Sequence, residues 1–195
     1  TSAPYEGGGG ILNEGSLNLE YSSVSGNYVE KFTSSGGGIY NKGTAILNVR
    51  SCLVSENLVV ANHLNAAANG GGIINESTAT LNVFSSAIVN NICRGFTVNA
   101  PRGGGIYNAG GQALVENSTI SGNIVESDSS NFGEAAGGFF HQFDTAYIKN
   151  STIAFNEAKG ASPKGGIVIN TGAVILENSI VANNLVNGSA CLLYT

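Results

Sequence analysis

Few residues of this chain could do chemistry. The histidines are His63 and His141. His141 stands three residues before Asp144 and ten before Ser151. A base, an orienting acid and a hydroxyl are the groups that nucleophilic catalysis brings within hydrogen-bond reach, which makes His141 and Asp144 the catalytic candidates. A glycosidase instead needs two carboxyl groups flanking one bond. There are only two aspartates, Asp128 and Asp144, sixteen residues apart. Glutamate could supply such a pair, yet Glu14, Glu76, Glu116 and Glu177 recur where a solvated outward side chain is expected. Calcium takes roughly six to eight oxygens from dense carboxylates, and no stretch is that dense. Cys52, Cys93 and Cys191 are odd in number and irregular in spacing, which is not a zinc pattern. No metal and no cofactor is expected.

Those residues must be positioned by something, and the chain shows what. Glycine-rich openings begin near 8 (GGGILN), 36 (GGGIYN), 70 (GGGIIN), 103 (GGGIYN), 136 (AGGFFH) and 164 (KGGIVIN), separated by 28, 34, 33, 33 and 28 residues. About 20 residues after each start, an apolar-x-x-Asn tetrad closes at Asn27, Asn57, Asn91, Asn123, Asn156 and Asn184. A fixed period of this size is the signature of a solenoid. Helix signals are poor, because β-branched residues alternate and Gly and Asn punctuate the chain.

Counting back from each closing Asn gives columns. Eight before stand Leu19, Val49, Val83, Val115, Ile148 and Leu176; ten before stand Leu17, Leu47, Leu81, Ala113, Ala146 and Val174. Five before stand Ser22, Cys52, Ser86, Ser118, Ser151 and Ser179, and two after stand Val29, Val59, Cys93, Val125, Ala158 and Val186. Like residues at a fixed period predict coils that pair in parallel and in register about 4.8 Å apart, with aliphatic columns inside. A single coil could not bury its apolar face alone. About three short strands per coil are expected. The Asn column predicts a ladder of side-chain amides at a corner, where Asn also tolerates the left-handed conformation. The glycines predict a second corner with positive φ or close backbone approach. Cys52 and Cys93 replace small residues of two different columns, so both read as buried thiols with no disulfide between them. Cys191 follows the last repeat and could pair elsewhere. His141 replaces Asn in the GGGIYN element, which makes a polar column residue its simpler role. Sequons occur at Asn75, Asn117, Asn150 and Asn187; most fall within the repeat phrase and read as turn chemistry.

GGGIYN followed by LVENSTISGN resembles the repeats of right-handed parallel β-helix proteins on bacterial surfaces, and is similar to the polymorphic outer-membrane proteins and autotransporter passengers. Gly103, Gly104, Gly105 and Ile106 match the family's Gly-Gly-small-aliphatic element; Ile120 and Asn123 match its aromatic-x-x-Asn element, with Ile where the family favours Phe. The resemblance covers about Gly8 to Asn184. It implies a single all-β domain over residues 1–195, a right-handed parallel β-helix of about six coils belonging to a longer protein. It also implies a non-enzymatic extracellular or bacterial cell-surface role as adhesin, stalk, surface layer or filament. The alternative is a pectin-lyase-like enzyme acting on a polysaccharide.

The stretches after the +2 column vary in length and follow one corner, so stacking should gather them on one side, the usual place for binding. They carry Lys31, Phe32, His63, Arg94, Phe96, Arg102, Asp128 and Phe132, a mixed surface suited to glycans or another surface protein. Unpaired strand edges at both ends of a solenoid are templates for association, so end-to-end self-association is also expected. A net charge of −5 without a basic run gives nucleic acid little support. No apolar run approaches the roughly 20 residues of a membrane helix. Thr1 reads as the start of a mature chain or of an excised fragment.

Overall fold

The computed structural model describes residues 8–31, 36–62, 67–76, 78–95, 101–127 and 134–190. Its strands form four parallel sheets. Sheet A joins Ile11–Asn13, Ile39–Asn41, Ile73–Asn75, Ile106–Asn108, Ala135–His141 and Pro163–Ile169. Sheet B joins Ser16–Glu20, Ile46–Arg50, Thr80–Phe84, Gln112–Glu116, Thr145–Lys149 and Ala173–Glu177. Sheet C joins Ser23–Ser25, Leu53–Ser55, Ala87–Val89, Thr119–Ser121, Thr152–Ala154 and Ile180–Ala182. Sheet D joins Tyr28–Lys31, Leu58–Ala61, Ile92–Gly95, Ile124–Ser127, Glu157–Lys159 and Leu185–Val186. The chain is a parallel β-solenoid of six levels, hence about five full turns, and the described residues include no helix. Val83 lies directly between Val49 and Val115 in register.

Each level has four strands where the repeat phrase suggested about three. The extra corner comes from a left-handed residue just ahead of the Ser/Cys column, at Tyr21, Ser51, Ser85, Asn117, Asn150 and Asn178, with φ between 48° and 51°. A second one sits just ahead of the Asn column, at Gly26, Glu56, Asn90, Gly122, Phe155 and Asn183. The left-handed residue is therefore the neighbour of each ladder Asn and not the Asn itself. It swings the chain so that the next side chain points inward, where it can reach the level above.

The aliphatic columns fill the interior between sheets A, B and C. Ile39, Ile73, Ile106 and Phe139 face Leu47, Leu81, Ala113 and Ala146, and all are buried. In the fifth level the B column has the small Ala146 where the A column has the large Phe139, as close packing requires. Val29, Val59, Cys93, Val125 and Ala158 close the D–A corner. Tyr40, Ile74, Tyr107, Phe140 and Val168 form a separate cluster on the other face of sheet A.

The polar columns are hydrogen-bond ladders. Asn57 Oδ1 accepts from the backbone N and Nδ2 of Asn27, while its Nδ2 donates to Val24 O and to Asn91 Oδ1. Asn91, Asn123 and Asn156 repeat this pattern, and Asn184 closes it. Each interior amide thus fills all of its bonding capacity, the condition for burying it cheaply. In the Ser/Cys column, each backbone N donates to the next side chain and each hydroxyl donates to the carbonyl two residues back, as at Ser86 and Ser118. The Gly-Gly-Gly openings allow close approach: a Cβ on Gly71 would lie 2.3 Å from Gly104 O.

At the C-terminal end the interior columns are less covered. Leu176 is 40% exposed, whereas Val49, Val83, Val115 and Ile148 are fully buried. Asn187 and Gly188, both with positive φ, turn Ser189–Ala190 back antiparallel onto Leu185–Val186, the two-residue hairpin that Asn-Gly favours. This covers the last edge of sheet D.

Candidate functional site

His141 ends a second Asn ladder, inside the A–B corner. Asn13 Nδ2 donates to Asn41 Oδ1, Asn41 to Asn75 and Asn75 to Asn108, each at 2.7 Å. Asn108 Nδ2 then reaches His141 Nδ1 at 3.0 Å. Because Asn108 offers its amide hydrogens, Nδ1 is the acceptor, Nε2 carries the proton, and Nε2 donates to the backbone carbonyl of Asp144 at 3.3 Å. The ring lies nearly parallel to that of Phe139 and is fully buried. His141 thus occupies an Asn place, as its position in the repeat suggests. The structure brings it to the main chain of Asp144, while Ser151 Oγ is spent on Lys149 O at 2.7 Å. The signal for this ladder was the Asn recurring inside the first four glycine-rich openings.

Burial lowers the pKa of His141 below its ordinary value, although the Asp144 carbonyl and charge pull the other way. The unfolded chain takes up a proton near pH 6.5, whereas the folded chain resists it. The contribution of this group is therefore complete above about pH 6.5 and is lost as pH falls from there through the lower folded value. Replacing His141 by Asn should flatten that part of the profile, measured as urea midpoints at about pH 7.5 and about pH 5. An unchanged slope would contradict this.

Asp144 lies at the rim of an open groove of about 690 Å³ on the outer face of sheet B, lined also by Asn82, Gln112, Ala113, Leu114, Thr145, Tyr147 and Lys149. Leu114 pairs with Asn82 on one side and Tyr147 on the other. Tyr147 is 40% exposed. Lys149 Nζ lies 3.0 Å from Glu177 and 5.4 Å from the Tyr147 ring centroid, and its bond to Glu177 holds its pKa above the usual lysine value. Sequence reasoning missed this groove. Its only signal was the column nine before the closing Asn, which changes from Asn18, Asn48 and Asn82 to Leu114, Tyr147 and Ile175.

Of the loop-side candidates, Arg94 and Arg102 are described. Arg94 meets Glu126 through Nε and Nη2, both at 2.7 Å, and Glu126 also faces Lys159. Arg102 lies over the rings of Tyr107 and Phe140, at 5.9 and 5.6 Å. It covers the aromatic cluster on sheet A. Phe32, His63, Phe96, Asp128, Phe132 and the side chain of Lys31 lie outside the described residues, as does Cys191. Glu14 pairs with Lys42. Glu76, expected to be solvated, instead accepts from the Tyr40 hydroxyl and from Gly43 N. Among the described residues no three His, Cys, Asp or Glu side chains group to hold a metal.

Cys52 and Cys93 are free thiols, both buried. Burial pushes the pKa of Cys93 far above the thiol range. A maleimide should leave Cys93 unlabelled in the native protein and modify it once urea unfolds the chain; native labelling read by peptide mass would contradict its place in the core. Among the sequons, Asn75 is fully buried in its ladder, and Asn117, Asn150 and Asn187 are exposed left-handed corner residues.

Comparison with protein-family models, curated proteins and solved structures finds no match.

Proposed function

We propose that this chain is a non-enzymatic rod in an extracellular or bacterial cell-surface protein, with an adhesive or structural role. The right-handed winding and the kinship with autotransporter-like passengers are part of the same reading. The observation that carries it is the pair of continuous Asn ladders, one of which absorbs His141. Such ladders stiffen a stack of levels, and length-variable insertions between sheets D and A give it a face to present. Glycans or another surface protein are the partners that this face suits. End-to-end association would have to displace the hairpin at Ser189–Ala190 and use the open edges of sheets A, B and C.

Two assays on the source organism's protein test the reading. Antibody raised against the chain should bind intact cells, and the purified chain should release neither reducing ends nor unsaturated products from a polysaccharide panel. The groove beside Asp144 favours one competitor, a carbohydrate-active enzyme. Turnover that disappears in Asp144→Asn would establish the competitor, and failure of antibody to reach intact cells would remove the surface role.

A further inference from the structure

We infer that the outer face of sheet B binds a short neutral oligosaccharide in the groove formed by Asn82, Gln112, Leu114, Asp144, Thr145 and Tyr147. The site lies on sheet B, away from the D–A corner. It deepens the adhesive reading and rests on it.

The groove has the two chemistries that a sugar ring presents. Tyr147 and Leu114, paired across neighbouring levels, offer an aromatic and aliphatic floor to the C–H face of a pyranose. Asn82, Gln112, Thr145 and the Asp144 carboxylate stand around that floor and can exchange hydrogen bonds with ring hydroxyls. A mostly apolar surface with a few placed polar groups is the usual make-up of a small-ligand site, and the groove's volume is in the usual range. Three levels about 4.8 Å apart leave room for a disaccharide or trisaccharide.

A second observation points to the same place. At the corner that enters this strand, three of the five other levels have glycine, at Gly15, Gly43 and Gly110, and two have the small residues Ser77 and Thr171, where this level has Phe143. Phe143 and Asp144 both have positive φ, 143° and 62°. Two adjacent non-glycine residues in this region are costly and persist where their surroundings hold them. Here Asp144 O accepts from Ala173 N at 2.8 Å and from His141 Nε2. The pinned corner fixes Asp144, and with it a negative charge, in the lining of the groove. That charge selects against acidic sugars, and the nearby cation, Lys149, is already engaged by Glu177.

The test is a titration of the full 195-residue chain, isotopically labelled and followed by NMR. Cellotetraose, xylotetraose and mannotetraose serve as neutral probes and tetragalacturonate as the anionic one. At least one neutral probe should shift the amide signals of Leu114, Thr145 and Tyr147. Tyr147→Ala should weaken that binding roughly tenfold, the scale of one lost aromatic contact. Asp144→Asn should narrow the preference for neutral over anionic probe. Both side chains are exposed, so urea midpoints should confirm that the variants fold. No shift with any neutral probe, unaltered affinity in Tyr147→Ala, or tightest binding of tetragalacturonate would overturn the site. Cleavage of a bound probe would support the site while overturning the non-enzymatic reading.

Discussion

Replacing Asn91 by Ala is expected to destabilise the protein by at least about 3 kcal/mol. The side chain is fully buried and makes four hydrogen bonds. Its Oδ1 accepts from the N and Nδ2 of Asn57, and its Nδ2 donates to Val54 O and Asn123 Oδ1, all at 2.9 to 3.1 Å. The alanine variant takes the acceptor from Asn57 N and from one hydrogen of Asn57 Nδ2, whose other hydrogen stays on Val24 O, and removes the amide donor to Val54 O, in a corner closed above and below by neighbouring levels. A buried polar group left unpaired costs about 1–3 kcal/mol, and the losses here fall within one coupled network. The control is Asn48→Ala in the outer amide column of sheet B, where Asn48 bonds Asn18 at the surface; the expected cost is below about 1 kcal/mol. Urea unfolding with a common m-value reads both. Equal losses in the two variants would mean that the interior ladder is not what holds the levels.

Gly104→Ala should go further and prevent folding. A Cβ there would lie 2.4 Å from Gly137 O and 2.6 Å from both the C and the O of Ile124. These are backbone atoms of the neighbouring level and of the adjoining strand, and neither side can yield. Gly104 N donates to Ala136 O at 3.0 Å and Ile124 N to Asn91 O at 2.8 Å, so relieving the contact breaks the pairing that defines the coil. The expected result is insoluble protein, or a loss above about 4 kcal/mol by urea unfolding of any soluble fraction. Gly15→Ala is the matched control. Nothing lies within 4 Å of its Cβ position, and its φ is not in the left-handed region, so the change should be close to neutral. A Gly104→Ala protein that unfolds at the wild-type midpoint would show that the levels lie farther apart at this corner than the structure has them.

These expectations rest on parts of the protein with different visibility in the sequence. The fold was legible because parallel in-register stacking sets like residues over like: Val49, Val83 and Val115 are neighbours in space and recur in the chain. The first Asn ladder was legible for the same reason. The second was visible through Asn13, Asn41, Asn75 and Asn108, with His141 standing in the Asn place of the same element. The groove was not legible. It joins unlike residues from three levels, so it interrupts the repeat and cannot be seen as a column. The loop-side candidates, chosen because insertions often bind, divide between two arginines already engaged by Glu126 and by aromatic rings and residues outside those described.

The amino-acid pattern by itself determined the period, the identity of the interior columns and the stacking of coils, because a repeated apolar column has no stable place except against its own copies. The tertiary structure decided how many sheets each coil has, since left-handed residues as different as Glu56, Asn90 and Phe155 turn the chain at equivalent corners. It also decided what His141 and Asp144 do. The depth of the A–B corner makes one a ladder end and leaves the other in the lining of a groove. That depth comes from the levels packed on either side, and no spacing along the chain records it.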